Sequence, residues 1–382
     1  MGSMWGNKLK LSIFGESHGK GIGIVVDGIP GGIELDMDYI EKEMKRRAPG
    51  NNKMSTPRKE GDSFSVLSGF FQGKTTGTPL CAVIFNENTK SKDYDILKDC
   101  MRPGHADYTG HMKYNGSNDY RGGGHFSGRI TAPLVFAGAV AMQILERYFN
   151  IVVGSHVKSI YNVTEDKNLL DIDHKFHGKG SAGELLKTLR NMTLPVLEEE
   201  KGEHMEKAIM EARAEGDSVG GVVETAFINM MTALGNPFFD SVESRISHMM
   251  FSIPAVKGIE FGSGFEISSM RGSKANDEFT VEKHENNKGI KTTSNNNGGI
   301  LGGITSGMPL VFRVAIKPTP SIAKLQHTVN IETMENTELV IEGRHDPCIV
   351  PRAIPVIESA ASLTILDMIL EREGEITWKD RV

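Results

Sequence analysis

Cysteine is scarce in this chain. Cys81, Cys100 and Cys348 are scattered over 382 residues, which excludes a disulfide framework and fits a reducing cytoplasm. No zinc-type spacing, H-x-x-x-H, C-x-x-C or EF-hand pattern occurs, so nothing supports a metal site. A G-x-S-x-G elbow and a P-loop are also missing. The run GIGIVVDG at 21–28 lacks the G-x-G-x-x-G that opens a helix in dinucleotide-binding folds, which rules out that reading. Residues 1–6 lack the charged-then-apolar run expected of a signal peptide. Residues 1–6, opening Met1-Gly2-Ser3, are set aside from the fold reasoning. The longest mostly apolar stretch, 130–145, is too short to span a bilayer and contains Thr131, Pro133 and Gln143; it reads as a buried helix. The net charge of −6 argues against a general nucleic-acid binder and leaves a local basic pocket open.

Glycine, by contrast, is abundant at 43 residues, well above the usual share of roughly 7%. Hydrophobic residues at 38% and charged residues at 24% describe a folded chain, and the length is ample for a large core. Two glycine-rich stretches echo one another. SGFFQGKTTGTPL at 68–80 and GGILGGITSGMPL at 298–310 align with a shift of 230. Gly69, Gly73, Thr75, Gly77, Pro79 and Leu80 then fall on Gly299, Gly303, Thr305, Gly307, Pro309 and Leu310. A weaker echo pairs 14–26 with 215–225, in the same order. The order suggests an internal duplication; the alternative is that such glycine turns recur in any β-rich chain.

Apolar alternation predicts strands at 9–14, 22–26, 64–67, 80–85, 221–228 and 310–316. Helices are predicted over 38–47, with Asp36 or Asp38 as cap and Tyr39, Ile40 and Met44 inward, and from Ser127 or Thr131 to about 148. Others follow at 198–215 with Met205, Ile209 and Ala212 inward, at 238–250 with Val242, Ile246 and Met249 inward, and at 354–370. Segments 49–61, 86–101 and 282–297 read as mobile polar loops, and 160–180 as a solvated connection.

Four clusters can carry chemistry. RPGHADYTGHMKYNGSNDYRGGGHFSGR at 102–129 holds Arg102, His105, Asp107, His111, Arg121, His125, Ser127 and Arg129 around three consecutive glycines. Such glycines let backbone N–H groups approach an anion closely, and Ser127 stands at the expected helix start, a natural phosphate position. FGESHG at 14–19 presents His18 at a strand end. The basic run Lys45, Arg46, Arg47, then Lys53, Arg58 and Lys59, suits a phosphate or carboxylate, although a solvated helix end explains the first three equally well. GRHDP at 343–347 places Arg344 and Asp346 on one face if extended, with Arg352 beyond. The residues alone indicate an enzyme for an anionic, phosphorylated ligand, with His and Asp available for proton transfer.

These segments together resemble the chorismate synthase family. FGESHGKGIGIVVDGIPGG at 14–32, RPGHADYTG at 102–110, YRGGGHFSGR at 120–129, GGILGGITSG at 298–307, KPTPS at 317–321 and GRHDPC at 343–348 are similar to its signatures, in the family's order. The resemblance implies an α+β fold with helices sandwiched between antiparallel sheets: one domain over about 7–375, with halves near 7–150 and 200–370. It implies a carbon–oxygen lyase, 1,4-anti elimination of phosphate from 5-enolpyruvylshikimate 3-phosphate to give chorismate, and a need for reduced FMN without net redox change. It also implies a cytoplasmic homotetramer. NADPH enters only in bifunctional members; others rely on an external flavin reductase.

By position, His105 is similar to the histidine that protonates the leaving phosphate, His18 to the one that protonates the flavin, and Asp346 to the residue handling the flavin N5 proton. Ser17 and Ser127 match supporting hydroxyls. Arg47, Arg102, Arg129 and Arg344 match clamps on the substrate's phosphate and carboxylates. His125, Phe126, Ser127, Pro254, Ala255, Gly302, Lys317, Pro318, Thr319, Pro320, Ser321 and Arg344 match flavin contacts, and Arg47 and Lys53 match NADPH-associated positions. Three features depart from the family: His125-Phe126-Ser127-Gly128-Arg129 stands where Arg-Ser-Ser-Ala-Arg is common, Ala48 ends a triplet that is often all arginine, and Lys53 replaces an arginine. Two other readings stay open, a different FMN-using oxidoreductase and a non-catalytic flavin or phosphate-sugar binder.

Overall fold

In the strand Gly21–Asp27, Ile22, Ile24 and Val26 alternate with smaller or exposed residues and are fully buried, so this strand turns one face inward. Leu80–Phe85 does the same with Leu80, Ala82 and Ile84. The computed structural model describes residues 2–50, 54, 55, 61–86, 97–172, 181–283, 288–341 and 345–373. These two strands lie in the middle of an antiparallel sheet ordered Met4–Trp5, Lys10–Gly15, Gly21–Asp27, Leu80–Phe85, Phe64–Ser68. A second antiparallel sheet runs Val256–Phe261, Leu310–Ile316, Gly221–Ile228, Val152–Ile160, Val163–Thr164.

Each sheet contains four strands that, taken in chain order, lie side by side as first, second, fourth, third: 10–15, 21–27, 80–85, 64–68 in one and 152–160, 221–228, 310–316, 256–261 in the other. A helix follows the second strand of each set, Met37–Arg47 and Val242–Met250, and a long apolar helix follows the fourth, Thr131–Phe149 and Val350–Glu373. The two long helices pack on each other; Thr131–Phe149 touches both sheets and Val350–Glu373 the second. Both are long and apolar enough to cross a membrane, yet most of their residues are buried here as the middle layer. Full burial of side chains such as Phe136, Ile144 and Leu145 is worth roughly 1.5–3 kcal/mol each, so this layer is the main apolar mass of the fold.

The glycine-rich echoes form matching two-strand hairpins, Phe70–Phe71 with Lys74–Thr75 and Ile300–Leu301 with Ile304–Thr305. Gly69, Gly73, Gly77, Gly299, Gly303 and Gly307 all hold φ between +80° and +89°, open to glycine and costly for other residues. Thr75 Oγ1 donates to Pro30 O at 2.7 Å and accepts from Ile33 N at 3.0 Å. Thr305 Oγ1 donates to Met231 O at 2.7 Å and accepts from Leu234 N at 2.9 Å.

Several expectations are corrected. Residues 2–6 belong to the fold: Met4–Trp5 is an edge strand and Ser3 O accepts from Ile13 N at 3.0 Å. The helix expected from 238 begins at Val242, because Ser241 caps it by accepting from Ser244 N, while Phe238 (φ +65°) and Phe239 stay outside, almost fully exposed. Segment 282–297 is not a plain loop, since Phe279–Lys283 pairs with Lys288–Thr292. The start of 160–180 is not solvated, because Glu165, Leu169 and Ile172 are buried. Loops 49–61 and 86–101 lie largely outside the described residues, as do His174 and His177.

Candidate active site

The Arg121–Phe126 turn is built on three glycines with φ of +59°, +87° and +52°, a path that side-chain-bearing residues take only under strain. A Cβ on Gly122 would overlap the His18 ring, and one on Gly123 would stand 3.1 Å from His105 Nε2. Two histidines far apart in sequence therefore rest on adjacent residues of one turn. Ser17 secures it: its amide donates to Gly124 O at 3.2 Å, and its hydroxyl lies 3.2 and 3.1 Å from the carbonyls of Arg121 and Gly122. The sequence suggested a presented His18; the ring is instead buried against Gly122, because the absent side chain there makes room for it.

His105 belongs to a compact ionic group. Asp107 takes Arg102 in a two-pronged pair, Nε to Oδ2 at 2.7 Å and Nη2 to Oδ1 at 2.8 Å, and lies 2.6 Å from His105 Nδ1. Burial pushes the Asp107 carboxyl up, but hydrogen bonds from Arg102 and His105 outweigh this and hold it well below the usual carboxylate range.

The second half of the chain closes over this group. Arg102 Nη1 donates to Ser321 Oγ at 3.4 Å, the Lys317 ammonium donates to Gly104 O, and Pro320 faces Gly104. Lys317 N donates to Ala255 O at 3.0 Å, which joins 254–255 to 317–321. Burial, then the neighbouring Lys257, lowers the Lys317 pKa.

A second cationic group lies further along the same glycine-bearing segment. Arg47 Nη1 donates to Asp62 Oδ2 at 2.7 Å, Arg129 Nη1 donates to Asp62 Oδ1, and Arg47 Nη2 donates to Gly128 O at 2.9 Å. Arg352 links outward from it, with Nε on Arg47 O at 3.0 Å and Nη1 on the Asp346 carboxylate. Burial raises the Asp62 pKa, yet Arg47 and Arg129 outweigh burial and hold it low.

A chorismate synthase family model matches residues 9–370. A chorismate synthase of Methanocaldococcus jannaschii is 43% identical over 369 residues, covering 96% of each chain. One from Dehalococcoides mccartyi is 44% identical over 370 residues, covering 97% of each. A crystal structure of a chorismate synthase superposes with a TM-score of 0.75 at 30% identity, covering 98% of each chain. The chain belongs to the chorismate synthase family. Its activity is the family's: elimination of phosphate from 5-enolpyruvylshikimate 3-phosphate to give chorismate, in the shikimate pathway to the aromatic amino acids.

Not every residue that the chorismate synthase resemblance singled out faces the two histidines. His125 Nδ1 donates to Gly15 O at 2.8 Å and Nε2 meets Ser3 Oγ at 3.1 Å, so its ring ties the turn to the first sheet. Phe126 covers Gly110, where a Cβ would stand 2.7 Å from the ring. Ser127 Oγ accepts from Arg129 N at 3.3 Å as a helix cap. Gly302 tops the second glycine hairpin, whose Gly303 packs on Ser241 and Asn236 rather than on the His105 group. Lys53 and Arg344 lie outside the described residues. Of the arginines expected to build a basic pocket, Arg102 pairs with Asp107, and Arg47 and Arg129 pair with Asp62. Nor is 45–47 a solvated helix end. Lys45 is exposed, but Arg46 is partly buried between Glu43 and Glu358, and Arg47 is buried on Asp62. Sequence reasoning gave no role to Asp62. Its one mark is an acid beside a basic loop, whereas Asp107 had a clearer signal two residues after His105.

Proposed function

We propose that the elimination takes place where His18 and His105 meet the Gly122–Gly123 turn, with reduced FMN as the cofactor. The placement of both histidines on adjacent glycines of one turn is the observation that carries this reading. The residues present fit a flavin phosphate and ring system. Gly122 and Gly123 bring the backbone against the His18 and His105 rings, Lys317 and Lys257 supply positive charge, and 254–255 and 317–321 adjoin each other beside His105. Reduced FMN supplies electron density to the substrate without net redox change. His105 holds the proton for the departing phosphate, and Arg102 beside it carries charge of the sign that phosphate needs. His18 holds a proton on the flavin side, Ser17 fixes the turn beneath it, and Asp346, oriented by Arg352, serves as proton acceptor. Arg47 and Arg129 line the approach, both held by Asp62. Pro318, Thr319 and Pro320 shape the strap that holds the cofactor.

The substrate phosphate and carboxylates are drawn to these arginines. We read the chain as one domain of two related halves arisen by duplication, acting as a cytoplasmic homotetramer. It obtains reduced flavin from an external reductase: Arg47, one of the NADPH-associated positions, is engaged by Asp62, Gly128 and Thr131. The test is anaerobic. Purified chain, photoreduced FMN and 5-enolpyruvylshikimate 3-phosphate should produce chorismate absorbance, and folded protein that yields none overturns the reading. His105→Ala should turn over at least about 10-fold more slowly. NADPH oxidation by the chain alone with FMN should be absent; steady oxidation would make it bifunctional.

A further inference from the structure

Asp107 is the first residue of the Asp107–Tyr114 helix, a place where a carboxylate ordinarily serves the helix's own N–H groups. Among the described residues, no side chain caps that helix. The carboxylate turns back instead. Oδ2 accepts from Arg102 N at 3.1 Å and Nε at 2.7 Å, while Oδ1 accepts from Arg102 Nη2 at 2.8 Å and His105 Nδ1 at 2.6 Å. Four donors use the acceptor capacity of one carboxylate.

The geometry also decides the histidine tautomer. A bare Nδ1 at 2.6 Å from a carboxylate oxygen would set lone pair against lone pair, so Nδ1 carries hydrogen. Arg102 Nη2 lies 3.1 Å from the same nitrogen, but both are donors there and simply share Oδ1. Nε2 is thereby the ring nitrogen left to face Gly123. Among the described residues, Arg102 and Asp107 on its own segment meet the ring, and Lys317 reaches the adjoining Gly104 O from the other half.

We propose that Asp107 is the positioning residue for His105: it fixes the proton on Nδ1, presents Nε2 to the reacting groups, and joins the ring's orientation to the Arg102 guanidinium. This rests on the reading of His105 as the acid at the leaving phosphate.

Asp107→Asn tests it. The amide oxygen can keep the Arg102 donors at the Oδ2 position, which turns the NH2 group toward Nδ1 and reverses the tautomer. With reduced FMN supplied, kcat should fall by about 10-fold or more, with KM within about threefold. Placed in His105→Ala, the same substitution should cost no more than about twofold, because the two act as a unit. Histidine 15N spectra should show a protonated Nδ1 at His105 in the unaltered chain and a protonated Nε2 in Asp107→Asn. An equal loss in both backgrounds, no loss at all, or a bare Nδ1 in the unaltered chain overturns the proposal. If His105→Ala turns over at full rate, the acid reading of His105 fails, while the spectra still decide whether Asp107 sets the ring. If Asp107→Asn does not fold, the spectrum of the unaltered chain decides alone.

Discussion

At Gly122 the requirement for glycine is double. Its φ of +59° disfavours any Cβ, and a Cβ there would occupy the space of the His18 ring. Gly122→Ala should therefore lose stability by roughly 1–3 kcal/mol and lose turnover by more than His125→Ala does. His125 touches Gly15 and Ser3 and supports the turn from outside. Urea denaturation and anaerobic turnover of the two variants check this, and a Gly122→Ala enzyme with normal turnover would contradict the placement. The glycines and histidines were legible in the sequence because their chemistry is local: a glycine run, and a histidine beside a glycine in a polar turn, stand out wherever they occur. Asp62 was not legible. A carboxylate gains meaning from the cations it meets, and Arg47 and Arg129 reach it from 15 and 67 residues away.

At the scale of elements, the two long helices cross where Gly138 meets Ser359. A Cβ on Gly138 would overlap the Cα and Cβ of Ser359. Alanine in place of a helical glycine usually gains about 1 kcal/mol. Here Gly138→Ala should instead lose roughly 1–3 kcal/mol by overpacking, read as a lower midpoint in urea. The second sheet carries a different device, with His156 fully buried between Glu165 at 2.5 Å and Glu224 at 2.9 Å, and Arg313 on the far oxygen of Glu224. Burial disfavours the imidazolium, but the two carboxylates outweigh it and raise the His156 pKa. Burial likewise opposes Glu224, whose pKa still falls to about 2 through His156 and Arg313. The raised histidine stabilises fully below its unfolded value of about 6.5, and that contribution declines as pH rises through its folded value. The lowered Glu224 stabilises above about 4.3 and loses that contribution as pH falls toward 2. His156→Leu should cost about 3–5 kcal/mol near pH 6, and the gap to the unaltered chain should narrow at pH 9. A gap that widens with pH would contradict the assigned charges. The strands of Glu224 and Arg313 were readable from their β-branched alternation, whereas Val152–Ile160, which holds His156, was not predicted. The ion pairs were not legible, because Glu224 and Arg313 reach the group from 68 and 89 residues along the chain.

Across the whole molecule, the chain's start is locked to its last helix. Asp367 accepts from the amides of Asn7, Lys8 and Leu9 at 2.9, 2.7 and 2.7 Å and from Arg245 at 2.5 Å, while fully buried. Deleting residues 2–8 should leave that carboxylate without two of its backbone donors and cost at least about 3 kcal/mol in urea denaturation. Unchanged stability would show that the opening strand is dispensable. The candidate site likewise needs both halves, because 102–107 and 121–126 belong to the first and 317–321 to the second. By itself the sequence determined the longer strands of the first sheet and the two long helices, the repeated glycine turns and the segments that carry chemistry, but not Val152–Ile160 or Val256–Phe261 of the second sheet. Those features depend on backbone conformation and on neighbours a few residues away. Only the tertiary structure decided which acid each arginine holds, which glycine each histidine rests on and that residues 2–9 complete the fold. Charge pairing and close packing act across space, where separation along the chain carries no information.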